Sequence, residues 1–147
     1  MENQEIEVIL VEDNIDDATL VIRALKKNNL ANNLIHLKDG VEALDFVFNT
    51  GTYENNGLQN KTPKVMFLDL KMPRVNGLEV LEKIKADPKT RSIPIVILTS
   101  SAEDPDIKKC YELGANSYIV KPVEFDTFIK AVSELGLYWL IRNHPTK

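Results

Sequence analysis

Four short apolar runs in this chain each end in a polar side chain suited to phosphate or divalent-metal chemistry. Val8-Ile9-Leu10-Val11 leads into Glu12-Asp13, and Val65-Met66-Phe67-Leu68 into Asp69. Ile95-Val96-Ile97-Leu98 leads into Thr99, and Tyr118-Ile119-Val120 into Lys121. An apolar run closed by a polar group and a Pro- or Gly-marked loop reads as a buried strand. Lys71-Met72-Pro73 and Asn76-Gly77 mark such a loop after Asp69. The last side chain of each strand would then project from the carboxyl edge of a sheet, where open α/β sheets bind ligands. Carboxylates gathered there repel one another. A small hard cation such as Mg²⁺ resolves the repulsion, since it takes oxygen ligands and leaves positions for phosphate oxygens. The Lys121 ammonium and the Thr99 hydroxyl, facing the same carboxylate, would clamp a transferring phosphoryl group electrostatically. A carboxylate can itself be the nucleophile in such a transfer, giving an aspartyl phosphate. Taken singly, each group has an ordinary reading: a strand-end Asp is commonly a helix cap or loop residue. Four at the ends of four strands are harder to dismiss.

The elements that must position these groups alternate five times. Strands are expected near 6–12, 33–38, 64–69, 94–99 and 117–120. Helical spacing of apolar residues places helices over 16–28, 40–49, 77–86, 103–113 and 124–141, with Gly114 capping the fourth. Near-continuous apolar strands separated by helices imply a parallel sheet covered on both faces. Residues 50–63, rich in Asn, Gly and Thr, read as a surface loop, either a tolerated insertion or a partner contact.

Bulk properties narrow the classes. The 147 residues suffice for one domain with a sizeable core. A net charge of −4 and scattered basic residues argue against nucleic acid as a partner. Cys110 is the only cysteine, so no disulfide forms within the chain, which fits a cytoplasmic protein. Cys110 reads as a small core residue of the fourth helix, and His36 and His144 as non-catalytic. No signal peptide is evident, and no apolar stretch approaches the roughly 20 residues of a membrane span.

The chain resembles the receiver domains of two-component response regulators. The matching residues are Glu12-Asp13, Leu68-Asp69-Leu70-Lys71-Met72-Pro73 with Asn76-Gly77, Leu98-Thr99-Ser100, and Gly114-Ala115 through Tyr118 to Lys121-Pro122. The spacings of 30 positions from Asp69 to Thr99 and 22 from Thr99 to Lys121 agree with the family. The resemblance covers about residues 5–135. It implies a flavodoxin-like (βα)5 fold with strand order 2-1-3-4-5. It further implies Asp69 as phosphoacceptor, with Mg²⁺ held by Asp13, Asp69, the backbone carbonyl of Lys71 and, through water, Glu12. Thr99 and Tyr118 would form the switch pair, Lys121 would pair with the phosphoryl group, and Lys121-Pro122 would be cis. Phosphorylation would draw Thr99 inward, let the Tyr118 ring follow, and change the surface of the fourth helix, fifth strand and fifth helix. The Lys71 and Ser101 side chains stand where they could shield the phosphoryl group from water.

After Lys121 there is room for one helix and a tail, so no output domain is expected and the output would be binding to an unknown downstream protein. Leu135-Gly136-Leu137-Tyr138-Trp139-Leu140-Ile141 is apolar nearly all round. The fifth helix is therefore expected to run past Gly136 and to pack in a homodimer through residues of about 136–147, or else to fold back on its own domain. The 50–63 insertion and the Tyr138-Trp139-Leu140 tail resemble stand-alone response regulators that partner bacterial phytochrome histidine kinases. The expectation is thus a binding switch phosphorylated by a sensor histidine kinase, not an enzyme beyond its own phosphorylation and dephosphorylation. Two other readings are a phosphomonoester hydrolase, disfavoured by Lys71 two positions after Asp69, and a phosphorylation-independent scaffold.

Overall fold

A computed structural model describes residues 7–27, 33–58 and 63–136. Strands β1 (Val8–Val11), β2 (Leu34–Leu37), β3 (Val65–Asp69), β4 (Ile95–Thr99) and β5 (Ser117–Val120) form one parallel sheet in the order β2-β1-β3-β4-β5. Five helices connect and cover it: α1 (Ile15–Lys27), α2 (Gly40–Phe48), α3 (Gly77–Ala86), α4 (Asp106–Leu113) and α5 (Phe125–Glu134). The expected flavodoxin-like architecture is the observed one.

Period-two alternation along the strands separates two apolar layers. Ile9, Val11, Met66, Leu68, Ile95 and Ile97 face the layer shared with α2, α3 and Cys110 of α4. Val8, Leu10, Val65, Phe67, Val96 and Leu98 face the other, with Val21 and Leu25 of α1 and Phe128 of α5. Burial on both faces makes register costly to slip, because a shift by one residue would exchange the two layers. Val11 is paired with Leu68, Asp69 with Leu98 and Thr99 with Val120, so the polar residues that end the strands are brought to a common edge.

Local signals set the helix starts. The Asn14 side chain accepts from Asp17 N at 2.9 Å, Asp39 from Glu42 N at 2.8 Å and Asn76 from Glu79 N at 3.1 Å. Gly114, at φ 112, supplies the left-handed C-cap of α4.

Three expectations need correction. The fourth helix starts at Asp106, not near 103. Pro105 disfavours helical backbone at Asp104, whose carboxylate instead accepts from Asp106 N at 2.9 Å. The fifth helix does not continue through Gly136. It ends at Glu134, with Leu135 as C-cap and Gly136 at φ 74, a left-handed conformation that interrupts a helix; residues 137–141 lie outside the described residues. The segment after α2 is not a bare surface loop. A 3₁₀ turn at Gly51–Tyr53 sets the Tyr53 ring edge-on to Phe46 at 5.2 Å, and Leu58 is buried with its N–H bonded to Phe46 O at 2.9 Å. Residues 59–62 lie outside the described residues.

Candidate functional site

Four strand ends build the site. Glu12, Asp69 and Thr99 are buried, and Asp13 is exposed at the rim. Carboxylate oxygens of Glu12, Asp13 and Asp69 lie within 4.8 Å of one another. Lys121, at the end of β5, reaches across the sheet edge. Its Nζ donates to Glu12 Oε1 at 3.2 Å, Asp17 Oδ2 at 3.0 Å and Asp69 Oδ1 at 3.2 Å. The Lys121-Pro122 peptide is cis.

The buried groups are hydrogen-bonded. Glu12 Oε2 accepts from Asn14 N at 3.1 Å, which ties the acidic pair to the start of α1. His36 Nε2 lies 2.8 Å from the Glu12 backbone carbonyl and donates to it, giving His36 a structural contact. Gly77 packs so close that a Cβ there would overlap the Asp69 carbonyl, so the loop after Asp69 folds tightly back under the helix it leads into. Arg74, at φ 64, spans from that loop to α2, with Nη2 2.6 Å from Asp39 Oδ2.

Two expected residues sit at the periphery. The Thr99 hydroxyl is shared between Ser101 O and Asp104 Oδ2, each at 3.3 Å. The half-buried Tyr118 ring stands edge-on to Tyr111 at 6.3 Å. The Lys71 side chain is mostly exposed and turns to the β4–α4 loop, with Nζ 3.3 Å from Asp106 Oδ2 and 3.8 Å from Asp104 Oδ2. In that position it does not shield Asp69. His144 lies outside the described residues.

Sequence reasoning missed Asp17 and Asp104. Asp17 stands four residues after Asp13 in the first turn of α1, and its helical offset was the available signal. Asp104, just before Pro105, carried none beyond its loop.

The chain matches the family model of the response regulator receiver domain over residues 8–133. It belongs to that family. The receiver is 38% identical over 133 residues to the probable methanogenesis regulatory protein FilR2 of Methanothrix harundinacea, covering 90% of this chain and 83% of that protein. It is 37% identical to response regulator Rcp1 of Synechocystis sp., covering 90% and 88%. A structure of the Mn²⁺-bound form of Rcp1 aligns with TM-score 0.73, at 36% identity over 95% of this chain and 99% of that one. The bacteriophytochrome response regulator RtBRR aligns with TM-score 0.85, at 43% identity over 97% and 85%. The receiver is thus related to phytochrome response regulators.

Electrostatics of the receiver site follow from its charge count. Glu12, Asp17 and Asp69 contact the Lys121 ammonium, and Asp13 adds a fourth carboxylate within 4.8 Å of Glu12 and Asp69. Burial pushes the Asp69 carboxyl up to about 8, the neighbouring Glu12 charge and hydrogen bond add to this, and Lys121 opposes it. Burial pulls Lys121 down, but its bonds to Asp17 and Asp69 and the nearby Glu12 charge outweigh that and hold it firmly protonated. A cluster with more carboxylates than ammonium groups binds a cation favourably. Hard oxygen donors around a partly open position suit a small divalent ion. Among the described residues, no helix is long and apolar enough to cross a membrane.

Proposed function

We propose that this receiver is a phosphorylation-controlled binding switch in which Asp69 accepts a phosphoryl group from the phosphohistidine of a sensor kinase. The carrying observation is the buried Asp69 carboxylate beside the Lys121 ammonium, with the Glu12 and Asp13 carboxylates within 4.8 Å. An Asp69 oxygen attacks phosphorus. The P–N bond to the kinase imidazole breaks and its electron pair goes to the ring nitrogen; the ring leaves as neutral imidazole where its other nitrogen carries a proton, and otherwise takes one proton from solvent. Lys121 neutralises charge on the phosphoryl oxygens. Asp13, Asp69, the Lys71 carbonyl and, through water, Glu12 would hold Mg²⁺, which supplies charge neutralisation for the phosphoryl oxygens when bound. The Mn²⁺-bound Rcp1 structure supports such a site. Thr99 then turns from the β4–α4 loop toward the phosphoryl group, and Tyr118 rotates into the space vacated beside it. The altered α4-β5-α5 surface meets a downstream protein.

The relation to Rcp1 and RtBRR supports a phytochrome as the cognate kinase, in the cytoplasm. We further read this receiver as a homodimer; residues 137–147, expected to carry its contact, lie outside the described residues. Incubation with acetyl phosphate and Mg²⁺, followed by intact-mass measurement, tests the transfer. One phosphoryl adduct, absent in Asp69→Asn and with EDTA, is expected. An unmodified wild-type mass would count for the scaffold reading, and sustained turnover of a phosphomonoester for a hydrolase.

A further inference from the structure

The Asp104 carboxylate joins three parts of the receiver that must separate for switching. Its Oδ2 accepts from the Thr99 hydroxyl at 3.3 Å and lies 3.8 Å from Lys71 Nζ. Its Oδ1 accepts from Asp106 N at 2.9 Å, in the first turn of α4. Backbone bonds hold the residue in place: Asp104 N donates to Ser101 O at 3.2 Å, and Ile107 N to Asp104 O at 3.1 Å. The side chain is only 9% exposed, against 64% for that of Lys71. An anion therefore already occupies the role that a phosphoryl group on Asp69 would take. It accepts the Thr99 hydroxyl and draws the Lys71 ammonium, from the side of the loop instead of the side of the site.

We propose that Asp104 is a positioning residue for phosphorylation: it holds Thr99 in the unphosphorylated arrangement, joins the nearer Asp106 carboxylate, 3.3 Å from Lys71 Nζ, in drawing Lys71 to the loop, and competes with the phosphoryl group for both. Resting on the reading of Asp69 as phosphoacceptor, this makes the position of α4 part of the same equilibrium. When Thr99 leaves Asp104, the carboxylate loses a donor on one oxygen while the other still accepts from Asp106 N at the start of α4. Loop and helix start can then shift together. A ligand moves such an equilibrium only by its preference for one arrangement. Weakening the competing contact therefore raises affinity for the phosphoryl group without touching the groups that bind it.

The test uses beryllofluoride, a phosphoryl mimic, with Mg²⁺ on the full chain, comparing wild type, Asp104→Asn and Glu103→Gln. Glu103 is an exposed acid in the same loop, so its substitution carries the same charge change without the contact. Asp104→Asn is expected to bind beryllofluoride roughly five- to tenfold more tightly, the size of one ordinary net hydrogen bond, because the Thr99 hydroxyl is shared with Ser101 O. Glu103→Gln should stay within about twofold of wild type, as expected for a screened surface charge. In a Thr99→Val background the gain from Asp104→Asn should shrink to less than about twofold, because coupled partners are not additive. Damage to the fold would lower affinity, so a rise cannot come from a merely structural role. Wild type that binds, with Asp104→Asn no tighter than Glu103→Gln, would overturn the latch alone. Wild type that fails to bind would overturn the phosphoacceptor reading and the latch with it.

Discussion

Replacing Asp69 by Asn should stabilise the metal-free receiver. The carboxyl is 2% exposed, and burial and the Glu12 charge raise it to about 8. An aspartate in the unfolded chain titrates near 3.9, at about 1.36 kcal/mol per unit of difference. Between these values the folded state binds a proton that the unfolded state has released. The slope of unfolding free energy with pH is then negative. Stability is undiminished below about pH 4, falls as pH rises toward about 8, and is fully reduced beyond it. At pH 7 the ceiling is roughly 4 kcal/mol, and structural relaxation and water entry bring it to about 2 kcal/mol. Asn keeps the shape and removes the charge. Lys121 loses one of three partners but retains Glu12 and Asp17. For a chain of this length 1 kcal/mol shifts Tm by about 3 °C, so the variant should melt about 6 °C above wild type in EDTA at pH 7. The gap should fall to about a third at pH 5, which lies only about one unit above the unfolded value, so the slope has acted over a shorter span of pH. Thermal unfolding followed by circular dichroism measures both. An Asp69→Asn protein no more stable than wild type in EDTA at pH 7 would refute the reasoning.

Other expectations follow from single contacts. Mg²⁺ should raise the wild-type Tm, and Asp13→Asn should weaken that apparent affinity at least about tenfold by removing a charged ligand, as read from Tm against Mg²⁺ concentration. Gly40→Ala should destabilise by about 1–3 kcal/mol in urea unfolding, because its Cβ would overlap the Val75 carbonyl where the β3–α3 loop crosses α2. Cys110 is 1% exposed, and burial first, then Asp106 and Asp104, push its thiol up to about 11. The folded protein should therefore resist a thiol reagent at pH 8 and react promptly in denaturant.

Much of the site was legible because its residues end strands. A run such as Val65-Met66-Phe67-Leu68 fixes where the chain leaves the sheet, and parallel pairing brings each exit to the same edge. Asp17 was not legible in the same way. Its contact with Lys121 depends on how α1 packs on the sheet, which spacing along one helix does not state. Asp104 was hidden for a related reason, since Pro105 delays α4 and turns the preceding carboxylate toward Thr99. Leu58 lies among Asn and Gly residues, so its polar surroundings masked an apolar anchor against Phe46. The apolar run from Leu135 to Ile141 looked continuous, yet backbone conformation at Gly136 ends the helical path that hydrophobicity alone would extend.

The most direct test of the account is chemical location of the phosphoryl group. Protein treated with acetyl phosphate and Mg²⁺ is reduced with borohydride, which converts an aspartyl phosphate to homoserine, then digested and sequenced by mass spectrometry. Homoserine at position 69 alone is the predicted result. Homoserine at Asp13 or another carboxylate, or phosphate retained on a residue that borohydride does not reduce, would contradict it.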